Sequence, residues 1–150
     1  MNIYSPNPGT HIPALVKAVM DSDGPILELG MGLFSTPVLH ALAEDQGREL
    51  YSLENKGKIL RHFKRFENEN HHLVFVPDWD EIDIEREWGV ALVDHEPDER
   101  RQIELTRLSR WADYVVAHDS DGKTYSAFKY RLDYNKTRPN TVILSNKYEL

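Results

Sequence analysis

Short apolar blocks recur along this chain at intervals, and the stretches between them follow a different rhythm. Nearly continuous apolar runs stand at 26–29, 50–53, 73–76, 90–93, 114–117 and 141–144. Such runs read as strands covered on both faces, where no polar alternation is needed. After the first, Val38, Leu39, Leu42 and Ala43 repeat at helical spacing. Thr36 and Pro37 in front of them supply an N-cap and a proline at the first helical position, and Gly47 supplies a stop. Ile59, Leu60, Phe63 and Phe66 mark another helix. Ile103, Leu105 and Leu108 place a third within 98–110, with Trp111 at its end, and residues 14–20 predict a helix ahead of the first strand.

Alternating strands and helices require right-handed crossovers. The expected fold is therefore α/β: a Rossmann-like, doubly wound, mostly parallel sheet of about seven strands with helices on both faces. No repeat, low-complexity tract or linker interrupts it, so residues 1–150 read as one domain. Ligands of such sheets bind beyond the carboxyl ends of the strands, which makes the strand-end residues the place to look for chemistry.

Composition narrows the partners. Apolar residues make up 40% and charged residues 29%, as in an ordinary globular chain. The formal net charge of −7 opposes a phosphate-binding surface, so nucleic acid is not an expected partner. The one basic cluster, "KGKILRHFKR" at 56–65, reads as the solvated side of an amphipathic helix. No run approaches the ~18 apolar residues that cross a bilayer, and "MNIYSPNPGTHIP" lacks the pattern of a secretory signal. The expected setting is the cytoplasm, without a membrane partner. With no cysteine there is neither a disulfide nor a thiolate metal site.

The most informative stretch is "PILELGMGLFSTP", a strand running into a glycine turn and then a helix. Gly30 and Gly32 allow unusual dihedrals and a close approach to backbone. A dinucleotide fingerprint would place a third glycine where Ser35 stands. Glu28, two residues before the turn, would repel a pyrophosphate and favour an ammonium or sulfonium group. The second strand ends in "YSLEN", where Glu54 can accept hydrogen bonds from two ribose hydroxyls. The third ends in "VFVPDWDE", where Asp78 can accept from an adenine amino group and Trp79 can cover the base. S-adenosylmethionine carries all of these groups.

"ILELGMGLFS", "YSLEN" and "VPDWD" resemble the first three motifs of the class I S-adenosylmethionine-dependent methyltransferases. The resemblance extends from the helix before Ile26 to the last strand. It implies S-adenosylmethionine as cofactor, held by Glu28, Gly30, Gly32, Ser35, Glu54, Asp78, Trp79 and Asp94.

"VALVDHEPDER" and "YVVAHDSDG" each close an apolar strand with Asp and His, and here the chain is similar to small-molecule O-methyltransferases. One branch, the catechol-type enzymes, holds Mg²⁺ after strands four and five. Transferred to this sequence, that implies Asp94 and Asp119 as metal ligands, with Ser120 in the place of an asparagine. A second branch, of sugar and antibiotic O-methyltransferases, shows "DG.H" and "HD" at these places. "VDHEP" and "AHDS" resemble it, without its glycine and histidine spacing. Along that route His95 or His118 acts as general base. The catalytic candidates are Asp94, His95, His118 and Asp119, with metal-assisted and metal-free routes both open. His71 and His72 lie before the third strand and read as surface residues.

The cap over such a site is small. Thr10 and His11 are placed to lie across the donor as a lid, and Tyr125 and Lys129 to form the opposite wall. That implies an open acceptor site, one completed by a second subunit in a homo-oligomer, or a partner that carries the acceptor. The expected function is methyl transfer from S-adenosylmethionine to a hydroxyl of a small-molecule or sugar acceptor. The alternatives are a donor-binding module without transferase activity, and an NAD-dependent dehydrogenase, which Glu28 and Ser35 disfavour.

Overall fold

Seven strands join in one sheet in the computed structural model, which describes residues 9–119, 123–134 and 139–150. In chain order they are β1 (Ile26–Leu29), β2 (Leu50–Glu54), β3 (His71–Phe75), β4 (Trp88–Val93), β5 (Ala112–His118), β6 (Tyr130–Tyr134) and β7 (Thr141–Ser145). Their order across the sheet is β3-β2-β1-β4-β5-β7-β6. The first five run parallel; β7 pairs antiparallel with both β5 and β6. Strand order therefore reverses between β1 and β4, and the expected doubly wound α/β architecture is present.

The helices are α1 (Ile12–Met20), α2 (Ser35–Gln46), α3 (Gly57–His62) and α4 (Arg101–Leu108). Ala14, Leu15, Ala18 and Val19 of α1 and Leu39 and Ala43 of α2 pack over Ile26, Leu50, Val90, Leu92, Val116 and Ile143. Leu105 and Leu108 of α4 cover the opposite face, over Ala91, Val93, Val115, Ala117 and Leu144. Trp79, Ile84 and Trp88 complete that layer from the segment between β3 and β4, where a 3-10 turn, Trp79–Glu81, is the only helical element. Gly47 ends α2 with a left-handed φ of 63°, as its sequence position predicts. No helix among the described residues is long and apolar enough to cross a membrane.

Several elements differ from their sequence patterns; α2 begins at Ser35, so Thr36 lies inside the helix and Phe34 holds the N-cap position. Strand β3 begins at His71, two places before the apolar run, because His71 and His72 pair with Leu50 and Tyr51. His71 is 2% exposed, so it is a core residue and not the surface residue expected. Strand β6, "YRLDY", was hidden because it is an edge strand with no fully buried position. In α4 the buried stripe is Arg101, Glu104, Leu105 and Leu108, while Ile103 faces out.

Candidate functional site

The glycine bend sits where strand order reverses. Leu29 pairs with Val93 on one side and Leu53 on the other, so the exits of β1, β2 and β4 meet there. Gly30 has φ +87°, and a Cβ on it would lie 2.5 Å from the Asp94 carbonyl oxygen. This glycine is required by the packing of β1 against β4. Gly32 is different: a Cβ there would meet only Ser35 Oγ, at 3.5 Å, so this glycine leaves backbone open. All three N–H groups of the bend have acceptors within the protein. Gly30 donates to the Leu53 carbonyl at 2.9 Å, Met31 to Glu54 Oε2 at 2.9 Å and Gly32 to Thr36 Oγ1 at 3.0 Å. A cleft of about 310 Å³ opens beside the bend, walled by Glu54, Asp94, Arg101, His118 and Asp119.

Glu28 does not reach that cleft. It is fully buried on the α1–α2 face of β1. Ser35 Oγ and Thr36 Oγ1 donate to its Oε1 at 2.7 and 2.8 Å, and Ser52 Oγ to its Oε2 at 2.5 Å. Burial pushes its carboxyl up to about 7, against the pull of the three hydroxyls. Where the sequence led to the expectation of a ligand's cation, Glu28 has its oxygens on three hydroxyls of the protein, that of Ser35 among them. Ser52 continues the chain to His71 Nε2 at 2.8 Å, and His71 Nδ1 lies 2.9 Å from His40 Nδ1.

Glu54 does line the cleft, although its carboxylate is already bound to the backbone N–H groups of Met31 and Lys56, at 2.9 and 3.0 Å. Burial lifts its carboxyl above the ordinary value, partly offset by those bonds. Asp78 is exposed outside the cleft and accepts from the Asp80 N–H at 2.9 Å, ordering a 3-10 turn. Trp79 is 4% exposed; its Nε1 donates to the Glu96 carbonyl at 2.9 Å and its ring packs on His95 at 4.3 Å. It packs in the core and is not among the residues that wall the cleft, unlike the base-covering position expected.

His95 and His118, the two candidate bases, have opposite fates. The His95 side chain is sealed in and donates from Nε2 to Glu104 at 2.8 Å. Burial holds its pKa below the usual histidine value, although Glu104 works the other way. Glu104 in turn accepts from Arg100 at 2.6 Å and Arg107 at 3.2 Å. His95 therefore lines the cleft without any exposed side-chain surface, held in this network by Glu104.

His118, at the end of β5, places Nδ1 3.0 Å from Asp94 Oδ1 at the end of β4. A carboxylate can only accept, so Nδ1 carries the proton and Nε2 is left as an acceptor. Thr10 Oγ1 stands 3.2 Å from that Nε2, and the His11 ring packs on His118 at 4.3 Å. Burial opposes charge on His118, but the Asp94 bond and the Asp94 and Asp119 carboxylates outweigh it and raise its pKa. His11 is driven down to about 4, by burial first and by His118 second. Asp119 turns away from β5 with φ 51°, a conformation least costly for Asp and Asn among side-chain-bearing residues.

No protein-family model matches the chain and no curated protein matches its sequence. Solved structures do match. The chain resembles an S-adenosylmethionine-dependent methyltransferase from Thiobacillus denitrificans, solved with S-adenosyl-L-homocysteine, at 15% identity and TM-score 0.54, over 78% of this chain. It spans about half of that protein, 49% of its length. It also resembles a human methyltransferase 10 domain containing protein, at 12% identity and TM-score 0.61, over 95% of this chain and 85% of that one. A methyltransferase from Pyrococcus furiosus matches at 15% identity and TM-score 0.57, over 97% and 88% of the two chains. The sheet order and these likenesses decide the fold. It is the class I methyltransferase fold.

Within the methyltransferase fold, the cleft lies at the strand ends where the motif resemblance implies a donor. Gly30 and Met31 of the bend line it, with Glu54 at the β2 end and Asp94 at the β4 end. The residues fit Mg²⁺ less well. Asp94, His118 and Asp119 offer ligand atoms within 4.8 Å of one another, while Ser120 lies outside the described residues. However, the Arg101 guanidinium stands 3.4 Å from Asp94 and 3.5 Å from Asp119, and His118 Nδ1 is already committed to Asp94. A hard cation prefers oxygen ligands free of a competing charge. Sequence reasoning missed Arg101, because an arginine before "QIEL" reads as a solvated helix start. It also missed Glu104, whose i, i+3 and i, i+4 spacing to Arg107 and Arg100 was available as a signal.

Proposed function

We propose that this protein transfers a methyl group from S-adenosylmethionine to a hydroxyl of a small-molecule or sugar acceptor, with His118 as the general base. The observation that carries the reading is the Asp94–His118 pair, set at adjacent strand ends beside the glycine bend. When bound, the donor supplies an electrophilic methyl group on a sulfonium. The protein must then hold the acceptor in line with it and accept the acceptor's proton. In this reading His118 Nε2 accepts that proton, Asp94 steadies the imidazolium that forms, and an acceptor hydroxyl would take the position Thr10 Oγ1 now holds. Glu54 is the acceptor group at hand for ribose hydroxyls. A dinucleotide suits the bend poorly, because the N–H groups a pyrophosphate would use are already bonded.

Calorimetry with S-adenosylmethionine, S-adenosyl-L-homocysteine and NAD tests the reading. Binding of the first two and not of NAD is expected; no heat from either sulfur compound at millimolar concentration overturns it. The second reading, a donor-binding module without transfer, is favoured by the Thr10 contact that covers His118. Methylation of any hydroxylated acceptor, lost in His118→Ala, excludes it.

A further inference from the structure

We propose that Arg101 is a positioning residue that takes the place of a divalent cation among the cleft carboxylates, so that the site works without metal. The inference rests on the methyl-transfer reading only for its consequence for rate; the competition between cations is a property of the cleft itself.

Four carboxylates converge on this one guanidinium. Asp94 and Glu96 lie 3.4 and 3.7 Å from Nη2, and Asp98 and Asp119 lie 3.2 and 3.5 Å from Nη1. The group is 4% exposed and pinned at the β4 exit, where Nε donates to the His95 carbonyl at 2.6 Å and Nη2 to the Asp94 carbonyl at 3.3 Å. It cannot swing out of the way without breaking both bonds. Nη1 has no hydrogen-bond partner among the described residues, although two carboxylates stand at ion-pair distance. It therefore acts there as a charge, which is what a metal ion would contribute. Lys123 takes Asp98 from the outer side, at 3.0 and 3.1 Å. That leaves Asp94, Glu96 and Asp119 for Arg101 to balance, and of these Asp94 and Asp119 flank His118.

A guanidinium keeps its charge at every working pH and spreads it over a plane that reaches several carboxylates at once. A divalent ion entering between Asp94 and Asp119 would face that buried positive charge at close range. Removing the guanidinium reverses the situation, leaving acidic groups within 4.8 Å of one another around His118 without their counter-charge.

The test is Mn²⁺ binding followed by electron paramagnetic resonance, in the wild type and in Arg101→Gln, without donor or acceptor. The wild type is expected to bind no Mn²⁺ through Asp119. Arg101→Gln is expected to gain a site at least roughly tenfold tighter, which disappears again when Asp119→Asn is added. Arg101→Gln that folds and gains no site overturns the proposal. Should Arg101→Gln fail to fold, the wild type decides: bound Mn²⁺ that Asp119→Asn removes overturns it, and absence of bound Mn²⁺ upholds it. If the calorimetry above shows no donor binding, the methyl-transfer reading falls and these outcomes keep their meaning.

Discussion

His118 Nδ1 and Asp94 Oδ1 stand 3.0 Å apart across the ends of two neighbouring parallel strands. The contact fixes the tautomer of a ring whose other nitrogen is the acceptor that the proposed reaction uses for the substrate proton. His118→Ala is expected to lower kcat by about 10²- to 10⁴-fold, the usual contribution of a general base. Donor affinity, measured by calorimetry, should stay within a few-fold of wild type.

The pH profile follows with a definite sign. The proposed transfer needs neutral His118, whose pKa is raised above the ordinary 6.5, with burial outweighed by the Asp94 bond and the Asp94 and Asp119 charges. The rate should therefore fall as pH drops through a value above 6.5. In Asp94→Asn the largest support for the charged form is gone, so the inflection should move to lower pH while the maximal rate falls. Initial rates across roughly pH 5 to 9 give both readings. An inflection that Asp94→Asn leaves in place would assign the titration to another group.

The two glycines of the bend should separate stability from binding. In Gly30→Ala the new Cβ would lie 2.5 Å from the Asp94 carbonyl at φ +87°, so a loss of several kcal/mol, or failure to fold, is expected in urea melts. Gly32→Ala meets nothing closer than 3.5 Å, so its stability should change by about 1 kcal/mol or less. Its affinity for S-adenosyl-L-homocysteine should fall by roughly tenfold, about 1.4 kcal/mol. Unchanged affinity would mean that the ligand does not lie against this backbone.

Much of the architecture could be read because β1, β4 and β5 are covered on both faces and appear as continuous apolar blocks. The pattern failed where burial is polar or partial. His71 lies inside the sheet because Ser52 and His40 bond it, and no apolar count can register that. Arg101 and Glu104 occupy the buried face of α4 through ion pairs, so the helix looked amphipathic around the wrong residues. For Glu28 the place was legible and the direction was not. Side chains alternate along a strand, so Glu28 shares the face of Ile26, beneath α2, and Ser35, Thr36 and Ser52 were the hydroxyls that could have announced a buried carboxyl.

His95 supplies the contrast with His118. It donates to Glu104, which has no exposed side-chain surface and is held well below the usual carboxylate range. Burial opposes that charge, and the bonds from His95 and Arg100 outweigh it. Glu104→Gln leaves His95, Arg100 and Arg107 facing an amide, so destabilisation of about 3 kcal/mol is expected in urea melts. His95→Gln should lose stability as well, yet leave the pH inflection of the folded protein's proposed activity where it is. A displaced inflection in His95→Gln would return His95 to the reaction.

Buried Glu28 makes stability depend on pH in the direction opposite to a salt-bridged carboxylate. Its carboxyl is raised from 4.5 to about 7, so between these values the folded chain binds more protons than the unfolded one. The stabilisation is complete below 4.5 and is lost as pH rises through about 7. His71, lowered from 6.5 to about 4 by burial and by His40, has the opposite sign: its contribution is present above 6.5 and is lost as pH falls toward 4. The two slopes oppose each other in the wild type, and a substitution is needed to separate them. Glu28→Gln removes the first and keeps the second. Its stability relative to wild type should therefore rise between pH 5 and pH 8, by up to about 3 kcal/mol. Urea melts of both proteins at the two pH values measure it. A difference that does not change with pH would mean that Glu28 is ionised throughout that range, with its three hydroxyl partners and the Ser52–His71 link supporting the charge.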